Sequence, residues 1–254
     1  MGVAAYPYQT TLISILHGDW ILEEDHCRAS SALLVICNAS SVYNITAIAI
    51  NRYFCICHSA RYEKMYSKRN TYIIIGIVWT LGISTWLPMQ VLQMFKYDPV
   101  VYACTVVRSA NPVYTLILEL VHFVTPTIVV LFCYINIWIL IIQVKYRVRQ
   151  DAKEKLKPNE LRQFFIMFLV FTVYIVCWGP SGVIGLILSI NPKLVEQFSE
   201  WFAIITYFLT YFHSSMNAII YGTFNKNFRD EYKNIILSFS AEIFHVFRIA
   251  CRKK

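Results

Sequence analysis

Charge is what this sequence has least of. Of its 254 residues, 15% are charged and 57% are hydrophobic, against the roughly 25% charged that soluble domains carry. That shortage excludes an ordinary water-soluble globule and points to a bilayer. Three further absences narrow the reading. No nucleophile–base–acid set and no paired metal-ligand spacing stands out, which argues against an enzyme or a metal protein and leaves no cofactor to expect; the lone Cys55-x-Cys57 has no second ligand pair. No internal repeat is visible, and Glu119 is the only carboxylate inside an apolar run, so a channel or transporter is poorly supported. No basic n-region or cleavage site follows Met1, and Tyr6 stands where a myristoylation motif wants Ser or Thr.

What is present is a set of apolar stretches. Cys27 to His58 reads as one helix with no charge between Arg28 and Arg52 and with small or hydroxyl residues along it (Ser30, Ser31, Ala39, Ser40, Ser41, Thr46). At about 1.5 Å per residue it crosses a hydrocarbon core of about 30 Å with some tilt. Small residues suit it to close packing on several neighbours, so it is expected to be the central helix. Four more spans follow: residues 72–92, 112–144, 164–190 and 201–224, interrupted by an ionisable group only at Glu119, His122 and His213. Residues 3–16 are apolar but too short to cross alone, and read as half of a helix.

Topology follows from the basic residues. The connections 56–71 and 145–163, the tail after Phe224 and Arg52 together hold 19 of the 23 Lys and Arg residues, which makes that side cytoplasmic. The net charge of +8 therefore reflects topology and an anionic lipid surface, not a nucleic-acid partner. Of the eight cysteines, Cys37, Cys133 and Cys177 lie in apolar runs, while Cys27 and Cys104 both fall on the outer, oxidising face and form the natural pair. The sequons at Asn38 and Asn44 lie inside the membrane helix and are expected to be unused.

Two prolines interrupt the spans. Pro126 is expected to kink or loosen its helix, and Cys177-Trp178-Gly179-Pro180 to form a second bend. Phe224, Phe228, Tyr232, Ile235 and Ile236 recur at helical spacing among basic residues, as in a helix lying on the inner membrane surface.

Cys27 with Arg52 twenty-five positions on, Trp79, Cys104, Pro126, Cys-Trp-Gly-Pro at 177–180, and Asn217 to Tyr221 resemble, in that order, the rhodopsin-like G-protein-coupled receptors. Asn51-Arg52-Tyr53 for the usual Asp-Arg-Tyr, Ile56-Cys-His-Ser59, Lys155-Leu-Lys-Pro158 and Asn217-Ala-Ile-Ile-Tyr221 are similar to the melatonin receptor subfamily and its melatonin-related orphan. The resemblance implies an all-α seven-transmembrane bundle over residues 1–236, a cytoplasmic tail at 237–254, residence in the plasma membrane, a small-molecule ligand and an inhibitory heterotrimeric G protein. It also implies a first helix and the inner half of a second, with a sodium-holding aspartate, which this chain lacks. An alternative expectation is therefore a truncated, non-signalling form that dimerises with intact relatives.

Residue by residue, the resemblance implies switch roles for Asn51, Arg52, Tyr53, Tyr134, Trp178, Pro180, Asn217 and Tyr221. Taken singly, Arg52 reads equally as an interfacial anchor, and Trp178 with Pro180 as packing. For the ligand it implies Leu34, Met89, Val106, Arg108, Glu119, His122, Gly182, Gly185, Tyr207 and Tyr211. Here the pattern departs: Met89 and Gly182 stand where melatonin receptors carry Asn, Arg108 where they carry Gln, and Val106 where they carry an aromatic. Weak melatonin binding, or a different small, apolar or acidic ligand, is expected. Glu119 and His122, three apart, are expected on one helix face, with Glu119 neutral or matched to His122 or Arg108.

Overall fold

The structure is a computed structural model that describes residues 3, 6–147, 158–226, 228–235 and 237–238. It is built from α1 (Pro7–His17), α2 (Glu24–Cys57), a short α3 (Ser59–Met65) and α4 (Lys68–Val91). A two-stranded hairpin follows, β1 (Phe95–Asp98) and β2 (Ala103–Val106), and then α5 (Pro112–Glu119), a π-helical turn at Leu120–Val124, α6 (Thr125–Arg147), α7 (Pro158–Ile190) and α8 (Glu200–Phe224).

Four stretches are long and apolar enough to cross a membrane: Glu24–Cys57, Lys68–Val91, Pro112–Val144 and Arg162–Ile190. The fifth expected span is a helix of 25 residues, but it falls short in apolarity. The reason is its inward face, where Thr206, Thr210, Tyr211 and His213 are buried, while Phe208, Phe212 and Ile219 face outward. The same inversion marks α1: Thr10, Thr11 and Ser14 are buried and Leu12, Ile15 and Leu16 are exposed. In lipid the apolar side chains have no reason to turn inward, and hydroxyls do, because inside the bundle they find partners. Thr10 Oγ1 meets Ser30 Oγ at 2.9 Å, and Ser14 donates to the Thr10 carbonyl at 3.1 Å.

Helix α2 is central, touching α1, α4, α6, α7 and both strands. Its buried residues are mostly small, Ser30, Ser31, Ala39, Ser40 and Ala49 among them. Gly82 of α4 packs directly on Ser40, where a Cβ would collide with the Ser40 hydroxyl and lie 3.1 Å from the Ile36 carbonyl. Backbones that close hold together by van der Waals packing.

The helices start where their sequences direct. Ser67 Oγ accepts from Asn70 N at 3.2 Å to cap α4, Asn111 Oδ1 accepts from Tyr114 N at 3.0 Å to cap α5, and α1 stops at Gly18, whose φ of 76° suits glycine. The loosening expected at Pro126 takes the form of the π-turn just before it. Proline cannot donate to the His122 carbonyl, and the Tyr174 hydroxyl of α7 does so instead, at 3.1 Å. The inner half is an apolar core in which Tyr134 of α6 packs against Phe164 and Phe171 of α7 at 5.6 and 5.8 Å between ring centroids.

The hairpin had no counterpart in the sequence reading; its register places Tyr97 opposite Cys104. Residues 228–235 are helical, with Phe228 stacked on Tyr221 at 5.2 Å and Tyr232 edge-on to Phe228 at 5.3 Å. Residues 148–157, which hold most of the Lys155-to-Pro158 motif, Ile236 of the surface-helix pattern, and the tail from 239 to 254 lie outside the described residues.

Candidate functional site

The outer end of the bundle holds a partly open cavity of about 640 Å³. The hairpin roofs it. Cys27, at the top of α2, is bonded to Cys104 in β2 across a Cα separation of 5.4 Å, as expected. Ser31 Oγ donates to the Cys104 carbonyl at 3.1 Å, which adds a second tie from α2 to the roof, and Val107 N donates to the Met94 carbonyl at 2.7 Å, which closes the base of the hairpin. Burial, and after it the Asp19 carboxylate, raise the pKa of the Tyr97 hydroxyl in the roof above its ordinary value, keeping it protonated.

Of the ligand residues implied by the sequence, Leu34, Met89, Val106, Arg108, Glu119, His122 and Tyr207 line this cavity, and Trp178 lies among them. Gly182, Gly185 and Tyr211 do not. Gly182 is the seat of the Phe123 ring, which a Cβ would meet at 2.8 Å. At Gly185 a Cβ would collide with the Glu119 carboxylate. Each glycine is therefore a place another side chain fills, not a missing anchor. Tyr211 turns toward α1: its ring stacks on Tyr8 at 4.9 Å, its hydroxyl accepts from Tyr207 at 2.5 Å, and its carbonyl accepts from the Tyr8 hydroxyl.

Glu119 and His122 both line the cavity, but of the two matches open to Glu119 the structure makes the one to Arg108 and not the one to His122. The π-turn begins at Leu120, and its wider winding carries the two side chains apart. His122 reaches Thr85 Oγ1 at 2.6 Å and Tyr43 at 3.1 Å, and its Nδ1 lies 3.1 Å from the Leu118 carbonyl. Because a carbonyl only accepts, Nδ1 carries the proton and Nε2 accepts from a hydroxyl. His122 thus joins α2 and α4 to the π-turn. Glu119, only 9% exposed, lies instead beside Arg108, with Nε to Oε1 at 3.6 Å. The same guanidinium donates through Nη1 to the Ser181 carbonyl at 3.0 Å and through Nη2 to Ser181 Oγ at 2.9 Å. Arg108 therefore links the roof to α7 one residue past Pro180.

Beneath the cavity, Trp178 Nε1 donates to His213 Nδ1 at 3.3 Å, which leaves the proton of His213 on its buried Nε2. Ser214 donates to Asn38 Oδ1 at 3.2 Å and Asn217 Nδ2 to Ser41 Oγ at 3.2 Å. Thr85, Ser181, His213 and Ser214 were not singled out from the sequence as site residues. Their signal was present: polar side chains at helical spacing in otherwise apolar spans, as in His213-Ser214 and Asn217.

At the inner end, Arg52 is half-buried with its Nε unpartnered, within electrostatic reach of the Tyr134 and Tyr221 hydroxyls. Among the described residues no carboxylate pairs with Arg52, and no hydrogen bond joins it to Asn51, so even the neutral lock that Asn51 could offer is not made. Tyr53 bonds His58 Nε2 at 3.0 Å, and Tyr221 donates to Met167 Sδ at 3.4 Å. Arg162 of α7 donates to the Phe224 carbonyl at the end of α8 at 2.8 Å.

Comparison with known proteins places this arrangement. Residues 1–221 match the family described as 7 transmembrane receptor (rhodopsin family). The chain is 45% identical to the melatonin receptor type 1B of Gallus gallus over 237 residues, 93% of this chain and 82% of that one. It is 46% identical to the type 1C receptor of Gallus gallus over 92% of this chain and 68% of the relative, and 44% identical to the type 1A receptor of Mus musculus over 96% and 70%.

Proposed function

Because the chain belongs to the rhodopsin family of seven-transmembrane receptors, within the melatonin receptor subfamily, we propose that it is a plasma-membrane receptor. In this reading its roofed cavity takes a small molecule, and its basic inner face engages a heterotrimeric G protein of the inhibitory class. The basic connections and the tail lie in the cytoplasm.

The observation that carries the reading is a cavity walled by Trp178, two residues before Pro180, with an unpaired Arg52 between Tyr134 and Tyr221 at the far end. A ligand against Trp178 presses on the one segment of α7 where proline has removed a ladder bond. Movement of α7 then opens the inner end, where Arg52 has no ion pair to lose among the described residues.

The test is nucleotide exchange on an inhibitory G protein, with the full chain in membranes that lack other receptors and a panel of small aromatic agonists. Exchange should rise with at least one agonist and fall to background in Arg52→Ala at equal surface expression. No agonist-dependent exchange, with a melatonin receptor responding in parallel, would favour a non-signalling partner of intact relatives.

The ligand pocket has diverged. Melatonin presents an amide and a methoxy group, and leaving two such groups unpaired in an enclosed site weakens binding on the order of a hundredfold. Met89 has no donor to offer, and the Arg108 Nη groups already hold Ser181. Radioligand saturation should therefore show melatonin bound about a hundredfold more weakly than by the type 1B receptor, with recovery in Arg108→Gln/Met89→Asn. Affinity equal to that of the type 1B receptor refutes this.

A further inference from the structure

Among the described residues, the wall of the cavity holds a carboxylate that makes no hydrogen bond. Glu119 is nine-tenths buried, yet its carboxylate accepts no hydrogen bond among the described residues. Its single charged neighbour, Arg108 Nε, stands at 3.6 Å, beyond hydrogen-bond reach. A buried carboxylate ordinarily collects several donors, because burial removes the water that would otherwise supply them.

The polar groups around it are engaged elsewhere. The Arg108 Nη groups hold Ser181, Thr115 donates to the Arg108 carbonyl at 2.7 Å, and Tyr174 donates to the His122 carbonyl at 3.1 Å. Nor is the carboxylate free to turn away. It fills the space over Gly185 that a Cβ would need, and this fixes it at the cavity surface.

We propose that Glu119 is the ligand's anchor, accepting a hydrogen bond from a neutral aromatic N–H or O–H donor, and that Arg108 tunes it against cations. This deepens the receptor reading and rests on it. With Arg108 beside it the carboxylate is already neutralised, so an incoming ammonium gains little attraction, meets the guanidinium at close range, and must give up its water in a largely apolar cavity. A neutral donor supplies the missing hydrogen bond at none of those costs, and one bond to a charged acceptor is worth about tenfold or more in affinity. The aromatic part follows from Phe123, Trp178, Met89 and Phe202, which line the same space.

The experiment uses the full chain in nanodiscs and three fluorescent probes on one frame: 2-phenylindole, its 1-methyl derivative, and 2-phenyltryptamine, which adds a cationic amine. Saturable binding is measured against empty discs. In the unmodified protein 2-phenylindole should bind about tenfold more tightly than the 1-methyl compound and more tightly than the amine. Glu119→Gln keeps an acceptor and should keep the preference for N–H. Arg108→Met/Glu119→Met, which leaves no buried charge unpaired, should abolish it while retaining a cooperative thermal transition. Arg108→Gln should improve the amine severalfold by unmasking the carboxylate. Equal binding of the N–H and N-methyl probes, a preference that survives the double substitution, or an amine that binds best to the unmodified protein would each overturn the anchor and leave the receptor reading standing. Absence of saturable binding by all three removes the cavity as a ligand site, whereas failure of agonist-dependent G-protein exchange reports on the receptor reading by itself.

Discussion

The two ends of this bundle each hold a half-buried arginine, and the fold treats them in opposite ways. At the outer end Arg108 is bonded twice to Ser181 and faced by Glu119, under a roof tied by the Cys27–Cys104 bond and by Ser31. At the inner end Arg52 has no ion pair among the described residues, and the helices around it meet through Tyr134, Phe164 and Phe171. Directional bonds fix one arrangement, while apolar contacts permit several of similar energy. On the receptor reading proposed above, the outer end reads shape and the inner end changes it.

This contrast can be broken most severely from the top. Replacing both Cys27 and Cys104 by Ala opens a loop with a sequence separation of 77 and should cost about 3 kcal/mol, seen as a lowered thermal midpoint in nanodiscs; an unchanged midpoint would mean the hydrogen bonds hold the roof alone. Tyr174→Phe acts between the two ends. It removes the donor to the His122 carbonyl that Pro126 leaves open and should cost about 1 kcal/mol, with local exchange protection lost around residues 120–126. The smallest effect is expected at the bottom. Arg162→Ala deletes an exposed bond from α7 to the end of α8 and should move stability by less than about 0.5 kcal/mol, yet raise agonist-independent nucleotide exchange. A stability loss as large as that from the disulfide would show that the inner end is also held by directional bonds.

Much of this was legible beforehand. A shortage of charge marks the membrane, Cys27 and Cys104 pair because both lie at the same end of the spans, and small residues mark α2 as the hub, since these properties depend on composition and position alone. What depends on helix phase was not. The reading of Glu119 with His122 assumed an unbroken 3.6-residue winding, and the π-turn between them breaks it. Gly182 read as a lost side chain because no sequence pattern says that Phe123, from another helix, fills its place. The hairpin escaped because its strands are four residues long and gain their order from the roof's covalent tie, not from alternation.

The π-turn has one more consequence. Along the stretch from Pro112 to Val144 it acts as a splice between two rulers. Residues beyond it keep step with Pro126, and residues before it keep step with the Asn111 cap. Contacts inferred for this span by winding an unbroken α-helix outward from Pro126 hold for Tyr134 and miss by about a position for Glu119. Deleting one residue within Leu120–Val124 would merge the rulers, swinging Glu119 out of its seat over Gly185 and rotating the outer segment's face while the inner half kept its own.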